Sequence, residues 1–153
     1  YYGSTLRPLT DALGLASRVF FLPYVPHSEI MSVVASADLG VVIYKNTNMN
    51  NYLCAPTKLY EYIMARIPIV GCAFPEVLET LAVYPVGLTF DPDDPLSIAT
   101  AVNAACSSDF LASAASHFDM ARQTLNYQEE SRVLLRLLAE ACPTAACAGR
   151  GAV

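Results

Sequence analysis

The chain has 153 residues, 54% of them hydrophobic and 15% charged, which allows one core of useful size and one domain at most. The formal net charge is −5, and the nine basic residues are scattered from Arg7 to Arg150. That distribution leaves no clustered footprint for nucleic acid, so any phosphate recognition has to be local.

The five cysteines, Cys54, Cys72, Cys106, Cys142 and Cys147, are odd in number and match no zinc-ligand spacing. They read as reduced thiols, and with no signal peptide in view the expected location is the cytoplasm. The apolar-rich stretch from Ile30 to Tyr44 is broken by Ser32, Ser36 and Asp38, which favours a helix followed by a buried strand over a membrane span.

Taken in chain order, helix and strand alternate, the pattern of a parallel sheet with crossover helices. Tyr1-Tyr2-Gly3 reads as the end of a strand, Arg7 to Leu15 as the end of a helix, and Val19 to Leu22 as a short buried strand. Pro26 to Ser36 is helical. Leu39 to Tyr44 is a continuous apolar run, the expected look of a strand covered on both faces. Lys45 to Leu53 is polar and Asn-rich and reads as a loop. Pro56 to Arg66 is a helix, Ile69 to Cys72 a strand, Glu76 to Ala82 a short helix and Leu88 to Phe90 a last strand. Asp94-Pro95 supplies an N-cap and first-turn pair for a helix running to about Cys106. Two more helices are expected over Phe110 to Leu125 and Tyr127 to Glu140, the second carrying the amphipathic set Val133, Leu134, Leu137 and Leu138. The expectation is a sheet of about four short strands, with the last two helices lying against the domain rather than extending it, followed by a disordered, Ala- and Gly-rich tail over 142–153.

The stretch from Ala55 to Val70 carries the most chemistry. Pro56 suits the first helical position, where its missing N–H costs nothing. Ala55 before it is a poor N-cap, so the next amides lack a side-chain acceptor. Lys58 falls in the first turn, where the helix dipole makes a cation unfavourable by roughly 0.3–1 kcal/mol. A bound phosphate would resolve both defects. The plainer reading is a solvated helix start with Lys58 and Glu61 as an i,i+3 surface pair, worth about 0.2–0.5 kcal/mol.

The flanking sequence adds context in a fixed order: Arg18-Val19-Phe20-Phe21-Leu22-Pro23, Ala35-Ser36-Ala37-Asp38-Leu39-Gly40-Val41-Val42, Lys58-Leu59-Tyr60-Glu61-Tyr62, Ile67-Pro68-Ile69-Val70-Gly71, Phe74-Pro75-Glu76-Val77 and Val86-Gly87-Leu88-Thr89-Phe90-Asp91-Pro92. From Arg18 to Val102 the chain resembles the C-terminal nucleotide-sugar domain of a GT-B glycosyltransferase, of the family 4 (glycosyl transferases group 1) type. The resemblance implies an α/β fold: a partial Rossmann-like parallel sheet flanked by helices, the C-terminal half of a GT-B fold, spanning 1–141. It also implies an N-terminally truncated chain, without the first strand, glycine loop and helix of that domain and without the N-terminal domain that holds the acceptor.

The same resemblance assigns roles by position. Glu61 falls where the family's glutamate accepts the ribose hydroxyls, a pairing suited to a vicinal diol. Thr57 and the amides of Thr57 and Lys58 fall beside the diphosphate, with Lys58 adding charge, and Tyr24 and Val25 lie where backbone groups meet the base. The first position of the family's Glu-x7-Glu pattern is Leu53 here. The implied reaction moves a sugar from a nucleotide diphosphate sugar to an unknown acceptor, with no metal, no cofactor and no nucleic-acid partner. No residue reads as a nucleophile or general base, so the catalytic residues stay unassigned and the isolated chain is expected to be inactive. The alternatives are a nucleotide-sugar epimerase of the same fold and a non-enzymatic doubly wound binding domain.

Other chemistry-bearing residues have structural readings. Asp38 reads as a strand-entry residue, His27 as exposed and His117 as structural. Tyr60, Tyr62 and Met64 read as packing at helical spacing, and Asp91-Pro92-Asp93-Asp94-Pro95 as turn and cap chemistry.

Overall fold

A computed structural model describes residues 2–142, and the expected tail beyond Cys142 lies outside them. The chain divides into two compact units, one ending at Ile30 and one beginning at Met31, with α2 (His27–Val34) running across the division.

In the N-terminal unit a π-helical turn over Tyr2–Leu6 leads into α1 (Arg7–Ala12). The strand end expected at Tyr1-Tyr2-Gly3 is therefore helical over its described part. Thr10 Oγ1 donates to the Leu6 carbonyl at 2.8 Å, and the helix stops at Gly14, whose φ of 66° is the left-handed value that ends helices. The Arg7 guanidinium stands 4.8 Å above the Phe21 ring. Val19–Leu22, expected as a buried strand, forms none: Phe20 is 75% exposed and no described strand pairs with the segment. An apolar run becomes a strand only when a ladder partner accepts its backbone groups.

The second unit is built on a three-stranded parallel sheet, one strand fewer than expected, in the order β1 (Gly40–Val42), β2 (Ile69–Cys72), β3 (Gly87–Phe90). The register pairs Gly40 with Ile69, Val42 with Gly71, Ile69 with Gly87 and Cys72 with Phe90. Side chains alternate across a strand, so β2, buried at all four positions, feeds both faces. On one face Val42 and Ile69 pack with Leu59 and Ile63 of α4 (Thr57–Ala65), Val77 and Leu81 of α5 (Pro75–Val83), and Ala114, Phe118 and Ala121 of α7 (Ser108–Thr124). On the other face Val70, Cys72 and Phe90 pack with Ala101 and Ala105 of α6 (Pro95–Ala105). Leu59 and Ile63 are fully buried, and each such side chain contributes about 1.5–3 kcal/mol.

β1 differs from the expectation of a strand covered on both faces. It is an edge strand, with Val42 buried but Val41 exposed, because α6 covers β2 and β3 and leaves β1 bare on that side. Gly40 and Gly87 are dictated by close approach: a Cβ at Gly40 would lie 2.4 Å from the Tyr62 ring, and one at Gly87 2.4 Å from the Ile69 carbonyl oxygen.

Side-chain caps start α6, α7 and α8 (Tyr127–Ala141). Asp94 accepts from the Leu96 amide at 2.9 Å, Ser107 from Phe110 at 3.3 Å and Asn126 from Glu129 at 3.0 Å. The Asn-rich segment expected as a loop also contains a helical turn, α3 (Met49–Leu53), capped by Asn48, whose Oδ1 accepts from the Asn51 amide at 2.8 Å. α4 ends at Arg66, held at φ 60° and tied to Asp119 of α7. α7 packs on α4 and lies against the sheet, as expected of a helix that does not extend the domain. α8 buries none of its residues, and Leu134, Leu135, Leu137 and Leu138 are all more than half exposed.

Candidate functional site at the carboxyl rim of the sheet

In a parallel sheet all strands point the same way, so the segments following β1, β2 and β3 gather at one rim, where open α/β sheets bind ligands. Here the gathering is visible bond by bond. The Tyr44 amide donates to Cys72 Sγ at 3.1 Å, joining the ends of β1 and β2, and the Ala73 amide donates to the Phe90 carbonyl at 3.2 Å, joining those of β2 and β3. Lys45, after β1, pairs with Asp93, after β3, at 3.7 Å. Asn51 of α3 donates to the Lys45 carbonyl at 3.2 Å, and the Tyr52 and Phe74 rings, tilted at 58° with centroids 5.3 Å apart, pack α3 on the start of α5.

The start of α4 belongs to this rim, because α4 returns from it to the opposite edge, where β2 begins three residues after Arg66. Pro56 is buried and extended, at ψ 120°, so it stands at the N-cap position and Thr57 becomes the first helical residue, one later than the sequence suggests. A proline cap has no side-chain acceptor. The Leu59 amide donates to the Pro56 carbonyl at 2.9 Å, while among the described residues the Thr57 and Lys58 amides find no acceptor. Among α3 to α8, α4 alone lacks both a side-chain cap and an acidic residue in its first turn. Lys58 is exposed and makes no ion pair with any described residue.

Helical spacing puts Thr57, Lys58 and Glu61 on the side of α4 away from Leu59 and Ile63. Glu61 is half-buried and accepts no hydrogen bond from a described residue, and the Lys58–Glu61 surface pair that the plainer reading expects is not formed. Thr57, Lys58 and Glu61 are thus brought together on one face of one helix start. Tyr24 and Val25 belong to the N-terminal unit, Tyr24 being 89% exposed.

The tyrosines that flank Glu61 act in packing, as their spacing suggests. Tyr62 lies against Gly40, its hydroxyl 3.4 Å from the Val41 carbonyl, and burial raises its phenol pKa. Tyr60 donates to Glu76 in the first turn of α5; burial first, then the Glu76 hydrogen bond and charge, hold its phenol well above the ordinary value. Sequence spacing gave no sign of the Tyr60–Glu76 bond, because the partners lie on different helices. The Lys45–Asp93 bridge was equally hidden. Asp38 stands exposed before β1, at the edge of the sheet opposite the rim, as a strand-entry residue should. The Asp91–Pro95 run does turn and cap work: the Asp93 amide donates to Asp91 Oδ1 at 2.9 Å. His27 is exposed; His117 is half-buried on α7 with its Nδ1 unpartnered. Cys54, Cys72, Cys106 and Cys142 are free thiols.

Among the described residues no helix is long and apolar enough to cross a membrane. No family model, curated protein or solved structure matches the chain.

Proposed function

We propose that this chain forms the donor-binding part of a cytoplasmic GT-B glycosyltransferase of the family 4 type, which moves a sugar from a nucleotide diphosphate sugar to an acceptor bound elsewhere in the whole protein. One observation supports this reading above the others: the start of α4, at the carboxyl rim, has no side-chain cap, and among the described residues its first two amides and the Lys58 ammonium find no partner. That arrangement is electrostatically incomplete until an anion arrives. The diphosphate lies against the Thr57 and Lys58 amides, with the Thr57 hydroxyl and the Lys58 ammonium beside it. Glu61, one turn on and without a hydrogen-bond partner among the described residues, accepts from the ribose hydroxyls. When the sugar leaves, charge builds on the diphosphate, and these preorganised groups stabilise it.

Calorimetry with UDP, GDP and ADP tests the reading. One or more of the three should bind, and Glu61→Ala should lose roughly tenfold to hundredfold, since a charged acceptor contributes about 1.5–3 kcal/mol per hydrogen bond. The fold should survive, because among the described residues Glu61 makes no hydrogen bond or ion pair. Equal affinity in wild type and Glu61→Ala would leave Glu61 a solvated helix residue and overturn the assignment. Nucleotide binding without sugar transfer by the whole protein would favour a binding domain instead.

A further inference from the structure

Away from the rim, the corner where α7 turns into α8 forms a groove against α4, lined by Tyr60, Leu125, Asn126, Tyr127 and Glu130. The polar groups there are nearly all acceptors or already engaged. Asn126 Oδ1 accepts from the Glu129 amide at 3.0 Å, and its Nδ2 donates to the Arg122 and Gln123 carbonyls at 2.9 and 3.0 Å. The Tyr60 hydroxyl donates to Glu76. The Glu130 carboxylate has no ion-pair partner among the described residues, yet lies near enough for its charge to bear on the Tyr60 phenol. No lysine or arginine lines the groove; on the flanking helix turns Arg132 is tied to Glu129, and Arg122 lines a separate groove beside Asp119. Tyr127 is 83% exposed, so its ring face is open to a ligand.

Two aromatic rings with negative faces, an unpaired carboxylate and the apolar Leu125 side chain together complement a cation that carries an apolar stem. The Glu130 charge opposes an anion there, and no lysine or arginine lining the groove offsets it. We propose that this groove binds an alkylguanidinium cation, the chemical class of an arginine side chain, with the guanidinium between Glu130 and the tyrosine rings and the alkyl stem on Leu125. The site is separate from the carboxyl rim and independent of the glycosyltransferase reading.

Titration of the full chain with n-butylguanidinium, followed in ¹H–¹⁵N spectra, tests this directly. Saturable shifts should centre on the amides of Asn126, Tyr127 and Glu130. The neutral isostere n-butylurea should bind at least about threefold more weakly, and Glu130→Gln and Tyr127→Leu should each cost about twofold to fivefold, the scale of exposed charge and cation–π contacts. Both side chains are exposed, so both variants should fold. Comparing arginine amide with acetyl-Gly-Arg-Gly-amide separates the sources: tighter peptide binding assigns the cation to a polypeptide partner, equal binding to a free small molecule. Equal affinity for butylurea, an unchanged affinity in Glu130→Gln, or no saturable shift would overturn the proposal.

Discussion

Lys58 is placed where it weakens the fold, and reversing its charge separates stability from ligand binding. It occupies the first turn of a helix with no cap and no acidic neighbour in that turn. Removing a cation there returns about 0.3–1 kcal/mol, and adding an anion gains a similar amount. Lys58→Glu also creates a like-charge i,i+3 pair with Glu61, which takes back about 0.2–0.5 kcal/mol. The net stabilisation is about 0.1–1.8 kcal/mol, or from a few tenths of a degree up to about 7 °C in Tm for a domain of this size. The same change should lower UDP affinity at least tenfold, because an anion then faces the diphosphate. Thermal unfolding by circular dichroism and calorimetry on the same samples read the two effects, and Lys58→Gln, which lacks the repulsion, should show the stability gain on a smaller scale. A lower Tm for Lys58→Glu would refute the account of an uncapped, dipole-exposed helix start. A higher Tm with unchanged UDP affinity would refute the role of that start in binding phosphate.

Two further predictions concern the scaffold. Gly87→Ala should destabilise by more than the usual 1–3 kcal/mol of an overpacked site, because the added Cβ would stand 2.4 Å from the Ile69 backbone oxygen, which can move only by parting β2 from β3; an unchanged urea midpoint would contradict the register. Stability should also fall above about pH 9. Burial raises the folded pKa of Cys72, and burial together with the Glu76 bond raises that of Tyr60, while Tyr62 is raised by burial; their contribution is whole below the unfolded values and is lost as the unfolded chain releases protons that the folded chain retains. Urea midpoints taken from pH 7 to 11 should decline first near the thiol range and then near the phenol range, with Tyr60→Phe flattening the later part; a constant midpoint would contradict this.

What the sequence by itself determined is what local chemistry controls. Asp94-Pro95 and the apolar periodicities placed α6, α7 and α8 within a few residues, since caps and helical faces are written in consecutive side chains. Ile69–Cys72 was evident as a strand, though not as the central one, and it is buried throughout. The Lys58 turn was evident too, because the absence of a cap is a property of neighbours in the chain. Even the helical turn α3 had its signal, in Asn48 as a cap, although the run of asparagines around it reads first as loop.

Tertiary structure decided the rest. Val19–Leu22 has as apolar a sequence as β2, and no described strand pairs with it; strand identity depends on a partner's backbone, which no local pattern records. The similarly apolar Leu39–Tyr44 run became an edge, with Val41 bare, because α6 covers only the two neighbouring strands. Pro56 moved from first helical residue to cap because its buried, extended geometry joins the rim to α4. The Tyr60–Glu76 bond and the groove at the α7–α8 corner arise from the meeting of helices distant in sequence. Spacing along one helix says which side chains share a face, and only packing says what that face meets.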